Sequence, residues 1–150
     1  MRLPAVLVVA ACALPAVAAA QEAVAPTSPT SPTSPACPRA AEVSQGHLLG
    51  LWRAEFEGMR QGATLLLEKH PEFTESVRGA INRGGDRAQL AGDVEEGEFS
   101  LEESVNGVNI SAVWLGDVVE GSCGREIRGS WQAEGAQQSW PFVLRKQSDL

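Results

Sequence analysis

From residue 50 to residue 146 the chain is written in short runs in which apolar and polar side chains alternate. A period of two places alternate residues on opposite faces of an extended strand, so each run predicts a strand with one buried face. Four come early. Residues 51–56 put Trp52, Ala54 and Phe56 on one face, and residues 63–69 put Leu65 and Leu67 inward. Residues 76–83 align Val77, Gly79 and Ile81, and residues 87–94 align Ala88, Leu90, Gly92 and Val94. The next three lie within residues 98–131. Phe99, Leu101 and Glu103 share a face, with Ser100 and Glu102 opposite. Asn106-Gly107 then predicts a tight type I′ hairpin, because both residues tolerate positive φ. A strand over residues 109–119 follows, with Ile110, Ala112, Trp114, Gly116 and Val118 together, and then one aligning Ile127, Gly129 and Trp131. Residues 140–145, with Trp140, Phe142 and Leu144 on one face, make the last.

The segments between these runs are turns: residues 58–62, the Pro71 break at 70–72, Gly84-Gly85-Asp86, the Gly-rich 120–124 and the polar 134–139. None is long enough for a crossover helix. The prediction is therefore all-β, an eight-stranded antiparallel up-and-down meander, and eight strands is the size at which a meander closes into a small barrel. Glycines 79, 92, 116 and 129 fall on the inward face, where they permit curvature and leave room for large neighbours such as Trp52, Trp114 and Trp131. Ahead of the strands, Ala40, Ala41, Val43 and Leu48 suggest a short helix that Ser44-Gln45-Gly46 would end.

The N-terminus changes the picture from fold to compartment. Arg2, the apolar run over residues 3–19 and Ala18-Ala19-Ala20 read as a signal peptide, 1–20, cleaved before Gln21. Pro4 and Pro15 and the short run argue against a transmembrane helix, and no later segment is apolar enough to span a membrane. A lipoprotein site at Cys12 is the lesser alternative. Residues 21–36, QEAVAPTSPTSPTSPA, form a Pro/Ser/Thr-rich linker of polyproline II character that cannot build a core. Hydroxyls such as Ser28, Ser31 and Ser34 are possible O-glycan acceptors there. The barrel domain is assigned to residues 37–150. A periodic spacer behind a signal predicts a periplasmic or secreted protein.

Removing 20 residues from 150 leaves 130, and losing Arg2 takes the net charge from −7 to −8. That sign disfavours nucleic acid and anionic membranes as partners, since phosphates call for clustered Lys and Arg. The export reading leaves two cysteines, Cys37 and Cys123, and in an oxidising compartment they predict one disulfide.

Candidate chemistry is sparse. Trp52, Trp114, Trp131 and Trp140 are candidates to line an apolar pocket, with filling of the barrel interior the stronger expectation. Glu95, Glu96, Glu98, Glu102 and Glu103 read as a solvated, charged strand face rather than an acid–base pair. His47 and His70 read as surface residues. Ser111, Ser122 and Ser130 lie in no nucleophile-elbow context. Asn109-Ile110-Ser111 fits a glycosylation sequon but falls in a predicted strand. Arg125 and Arg128 flank the disulfide turn and could meet an anionic ligand or balance Glu120 and Glu126. No catalytic constellation, metal set or cofactor motif emerges.

Gly50-Leu51-Trp52 at the head of an eight-strand meander, with Trp114 and Trp131 late in the chain, resembles the avidin–streptavidin and wider lipocalin-like barrels over about residues 48–146. The resemblance implies the fold and the habit of binding at a barrel mouth. It does not imply biotin. Avidins carry polar residues two and six positions after the first tryptophan, where this chain has Ala54 and Gly58. The function expected is a non-enzymatic exported binding module, taking a small apolar ligand or a periplasmic protein. The alternatives are a hydrolase inhibitor acting through loops and a structural envelope protein.

Overall fold

The computed structural model describes residues 37–148. The signal peptide, the linker and Cys12 lie outside the described residues. Eight strands run in chain order: β1 Gly50–Phe56, β2 Ala63–Lys69, β3 Ser76–Arg83, β4 Asp86–Glu95, β5 Glu98–Ser104, β6 Ala112–Val118, β7 Glu126–Ala133 and β8 Ser139–Lys146. Each pairs antiparallel with the next, and β1 pairs with β8, so the sheet is a closed meander barrel. The alternation holds along the walls. Trp52, Ala54, Phe56, Leu65, Leu67, Val77, Ile81, Leu90, Phe99, Leu101, Trp114, Ile127, Phe142 and Leu144 all point inward and are buried.

Two tight hairpins carry the turns. Gly84 and Gly85 have φ of 64° and 107° between the paired Arg83 and Asp86. Glu96 and Gly97 have φ of 50° and 90° between the paired Glu95 and Glu98. Positive φ at both central residues is the type I′ signature, whose twist matches that of the strands. The predicted hairpin at Asn106-Gly107 is not of this kind. Asn106 Oδ1 accepts the backbone N–H of both Val108 and Asn109 at 2.9 Å, an Asx turn within a wider loop over residues 105–111. β6 accordingly starts at Ala112 rather than at 109, and Ile110 is exposed outside the barrel. The sequon at Asn109 therefore lies on a loop, not in a strand.

One end of the barrel is closed by the segment before β1. A 3-10 turn, Ala40–Glu42, leads to a one-turn helix α1, Gln45–Leu48. Ser44 starts this helix rather than ending one: it is the extended N-cap, and its N–H donates to His47 Nδ1 at 3.0 Å. Val43 and Leu48 are buried in the barrel end. The Trp52 indole N–H donates to the Leu48 carbonyl at 2.7 Å, and Lys146 Nζ donates to the His47 carbonyl at 2.6 Å while lying over the Trp52 ring. Cys37 and Cys123 are bonded, with Cα atoms 4.6 Å apart and a sequence separation of 86. The disulfide thus fastens the closing segment to the β6–β7 turn.

A crosslink over so long a loop restricts the unfolded chain strongly, by about 4–5 kcal/mol in the chain-entropy picture when native geometry is unstrained. Cys123→Ser is expected to lower the unfolding free energy by a few kcal/mol in guanidinium titrations. An unchanged midpoint would show that the buried Val43 and Leu48 hold the end closed without it.

Candidate functional site

The opposite end of the barrel is where Phe56 leaves β1, Arg83 ends β3, Glu103 nears the end of β5, and Trp131 and Trp140 face each other across β7 and β8. The inward face of β3 runs through Val77, Gly79 and Ile81 to Arg83, and that of β5 through Phe99 and Leu101 to Glu103. The same alternation that builds the core therefore delivers two opposite charges to this mouth. Glu103 is buried, in contrast to the expected solvated face, while Glu95, Glu96, Glu98 and Glu102 remain exposed. Two tryptophans bring polar N–H groups inward at this end, and buried donors of this kind call for an acceptor.

Four donor atoms meet the Glu103 carboxylate. Trp114 Nε1 and Trp131 Nε1 donate to Oε2 at 3.3 and 3.2 Å. Arg83 Nη2 donates to Oε2 at 3.2 Å and its Nη1 to Oε1 at 3.4 Å, a fork-to-fork pair. The Arg83 guanidinium also lies over the Trp131 ring at 4.8 Å and the Phe56 ring at 5.4 Å. Phe56 packs on Trp114 with centroids 5.3 Å apart, and Trp114 packs edge-on to Phe142 at 4.9 Å. Below the mouth the interior is thus occupied by side chains. Above it, Arg83 keeps a quarter of its side chain exposed, and Trp131, Trp140 and Met59 are half-buried against the core.

Beside this mouth stands the 105–111 loop. It carries Val105 at 70 %, Val108 at 84 % and Ile110 at 42 % exposure. It is fixed from within by Asn106 and by Ser104 Oγ, which donates to the Asn109 carbonyl at 2.7 Å. It is fixed to the barrel by Ser111, whose N–H and Oγ both donate to the Glu103 carbonyl. The loop is therefore tied to the residue at the centre of the mouth.

The residues singled out in the sequence are distributed as follows. Trp52 and Trp114 are completely buried with their N–H groups bonded, one at each end of the barrel. Trp131 lies at the mouth. Arg125 is at the closed end, in a cleft with the disulfide. Arg128 is on the outer wall: its Nε donates to Glu126 Oε1 at 2.7 Å, Arg145 Nε donates to Glu126 Oε2, and Arg145 Nη1 donates to Glu55 Oε2 at 2.9 Å. His70 is at the closed end, where Nδ1 accepts the N–H of Glu72 and Phe73. Arg83 was not singled out, although its place two residues after Ile81 was a signal that it faces inward. Among the described residues no group of three or more His, Cys, Asp or Glu side chains is arranged to hold a metal ion.

No protein-family model matches the chain, and no curated protein matches it. Among solved structures it is similar to a de novo designed fluorescence-activating β-barrel, with 13 % identity and a TM-score of 0.45 over 69 % of this chain and 96 % of that one. The closed eight-stranded barrel stands on the strand pairings themselves.

Glu103→Ala leaves Arg83 and two indole N–H groups without their acceptor, and should lower stability by about 3 kcal/mol. Glu103→Gln keeps one acceptor oxygen and should lose about half of that; denaturant titrations with tryptophan emission read both, and an unaffected Glu103→Ala would mean that the network contributes nothing. On the outer wall, hydrogen bonding from Arg128 is the largest influence holding the Glu126 carboxyl below its ordinary value of 4.5. A carboxyl depressed on folding stabilises the protein above its unfolded-state value, and that contribution is lost as pH falls through the folded-state value. Glu126→Gln should therefore be less stable than wild type at neutral pH, with the gap narrowing as pH falls below about 4.5; a pH-independent gap would contradict this.

Proposed function

We propose that the chain is a non-enzymatic, exported binding module that engages a protein partner with the mouth end of its barrel. The observation that carries the reading is the 105–111 loop: three apolar side chains held out in water on a segment whose backbone is fixed. Exposed apolar side chains gathered at one place are a recurrent mark of interaction sites, and a loop that is already ordered loses little conformational freedom on binding. Arg83, Trp131 and Trp140 beside it supply the aromatic and guanidinium groups that anchor interfaces.

A small apolar ligand held inside the barrel is the less supported reading, because Phe56, Trp114 and Phe142 occupy the space below the mouth. A hydrolase inhibitor is the narrower form of the protein-binding reading. The fixed backbone of the loop favours it, since a pre-ordered loop can enter an enzyme cleft at small entropic cost. The avidin- and lipocalin-like resemblance of the sequence agrees with binding at a mouth. The signal peptide and spacer place the encounter outside the cytoplasm in this reading, which the Cys37–Cys123 disulfide supports.

The test is site-specific photo-crosslinking in the exporting cell, with a benzophenone side chain in place of Val108 or, as a control on the outer wall, of Leu51. A discrete adduct from position 108, absent from position 51 and abolished by Val105→Asp, is expected. A retained small molecule in native mass spectrometry, with no adduct from position 108, would replace this reading with that of a ligand carrier.

A further inference from the structure

The loop over residues 105–111 carries the dipeptide Asn106-Gly107, exposed at the mouth end of the barrel. We propose that Asn106 is a self-modification site, at which the folded loop promotes closure of the side-chain amide onto the Gly107 nitrogen and so converts Asn106 to aspartate or isoaspartate.

Three observations lead there. The first is the acceptor. Asn106 Oδ1 takes the backbone N–H of both Val108 and Asn109 at 2.9 Å. When the Gly107 nitrogen adds to Cγ, the negative charge of the tetrahedral intermediate develops on this same oxygen. The two N–H groups therefore stand where an oxyanion's donors stand, in place before the reaction begins. They also draw the side chain forward along the loop, so that it spans Gly107 instead of rotating in water. The second is the nucleophile. Gly107 has no side chain to crowd its nitrogen, and among the described residues its N–H makes no hydrogen bond that the addition would have to break. The third is contrast with the two other asparagines, Asn82 and Asn109. Asn82 Oδ1 accepts one N–H, from Gly85 at 3.0 Å, and the next residue, Arg83, lies within the β3–β4 pairing. Asn109 is followed by Ile110, whose β-branched side chain crowds the nitrogen that would attack.

The chemistry needs no co-reactant beyond water. The bond from the Gly107 nitrogen to Asn106 Cγ forms, the Cγ–Nδ2 bond breaks, and ammonia leaves with the proton that the Gly107 nitrogen gave up. The product is a succinimide. Water adding at Cγ reopens it to aspartate with the original main chain. Water adding at the main-chain carbon leaves the chain running through the side chain, as isoaspartate. Aspartate still offers an acceptor, now charged, to both N–H groups. In isoaspartate that oxygen belongs to a main chain one atom longer, and the turn that fixes the loop is lost. The effect on binding rests on the protein-binding reading, in which exported molecules lose their mouth surface with age; the modification itself needs no partner.

The experiment is peptide mapping by mass spectrometry of the mature, oxidised protein incubated at mildly alkaline pH, beside the same protein unfolded in urea. Product is expected at position 106 and not at Asn82 or Asn109. It should form in the folded protein at least as fast as in the unfolded chain, and faster as pH rises, because the Gly107 nitrogen must lose its proton. Val108→Pro removes one of the two donors and should lower the folded-to-unfolded rate ratio about tenfold, the effect of one hydrogen bond to a charged oxygen. Amide hydrogen exchange at Val108 and Asn109 should quicken in the isoaspartyl fraction and stay at the wild-type rate in Asn106→Asp. Slower product formation in the folded protein than in urea, or a Val108→Pro ratio equal to that of wild type, would overturn the assignment. These rates are read on the isolated protein. Their failure leaves the crosslinking test standing, and a missing adduct from position 108 leaves the rates standing.

Discussion

Closing eight strands into a ring leaves little space inside, and everything else in this protein answers to that constraint. The paired Gly116 and Gly129 show how the space is apportioned. A Cβ on Gly129 would collide with the Leu115 carbonyl, and one on Gly116 with that of Arg128, so the two strands bend sharply here without side chains between them. The next inward pair along the same two strands is Trp114 and Trp131. Curvature without bulk sits beside bulk without curvature, and the indoles are turned into the volume that the glycines leave.

That arrangement creates the polar problem at the mouth. An indole is the largest apolar filler available, but it brings an N–H that water can no longer reach. At the closed end one carbonyl, from Leu48, is enough for Trp52. At the other end two indoles arrive together, and a single carboxylate oxygen accepts from both. A buried carboxylate in turn calls for a cation, which Arg83 supplies while its plane rests on aromatic rings. The ion pair is a consequence of filling a small barrel with tryptophan, and the residue that supplies its carboxylate also holds the base of the 105–111 loop, through its backbone carbonyl.

Much of the fold was legible in the sequence. Alternation gave the inward faces of all eight strands, and glycine placement gave the curvature. Two local features were read wrongly because side chains outcompeted the backbone pattern: Asn106 spends its oxygen on an Asx turn instead of taking positive φ, and Ser44 opens a helical turn. The mouth was half legible. Glu103 stood in register with Phe99 and Leu101, but a glutamate among four others looks solvated, and only the third dimension brings Arg83 and two indoles around it.

The disulfide has a kinetic meaning as well as a static one. The β1–β8 pairing is the last and the most distant in sequence, and a meander cannot become a barrel until it forms. In the open chain that meeting has to be found across almost the whole domain. Once Cys37 is joined to Cys123, the route from β1 to β8 runs back through the crosslink and forward over β7 only. The effective contact order of the closing step drops, and with it the loop entropy that slows such topologies. Cys123 precedes β7 and β8 in the chain, so a crosslink made before those strands pair leaves the ring to close by a shorter search.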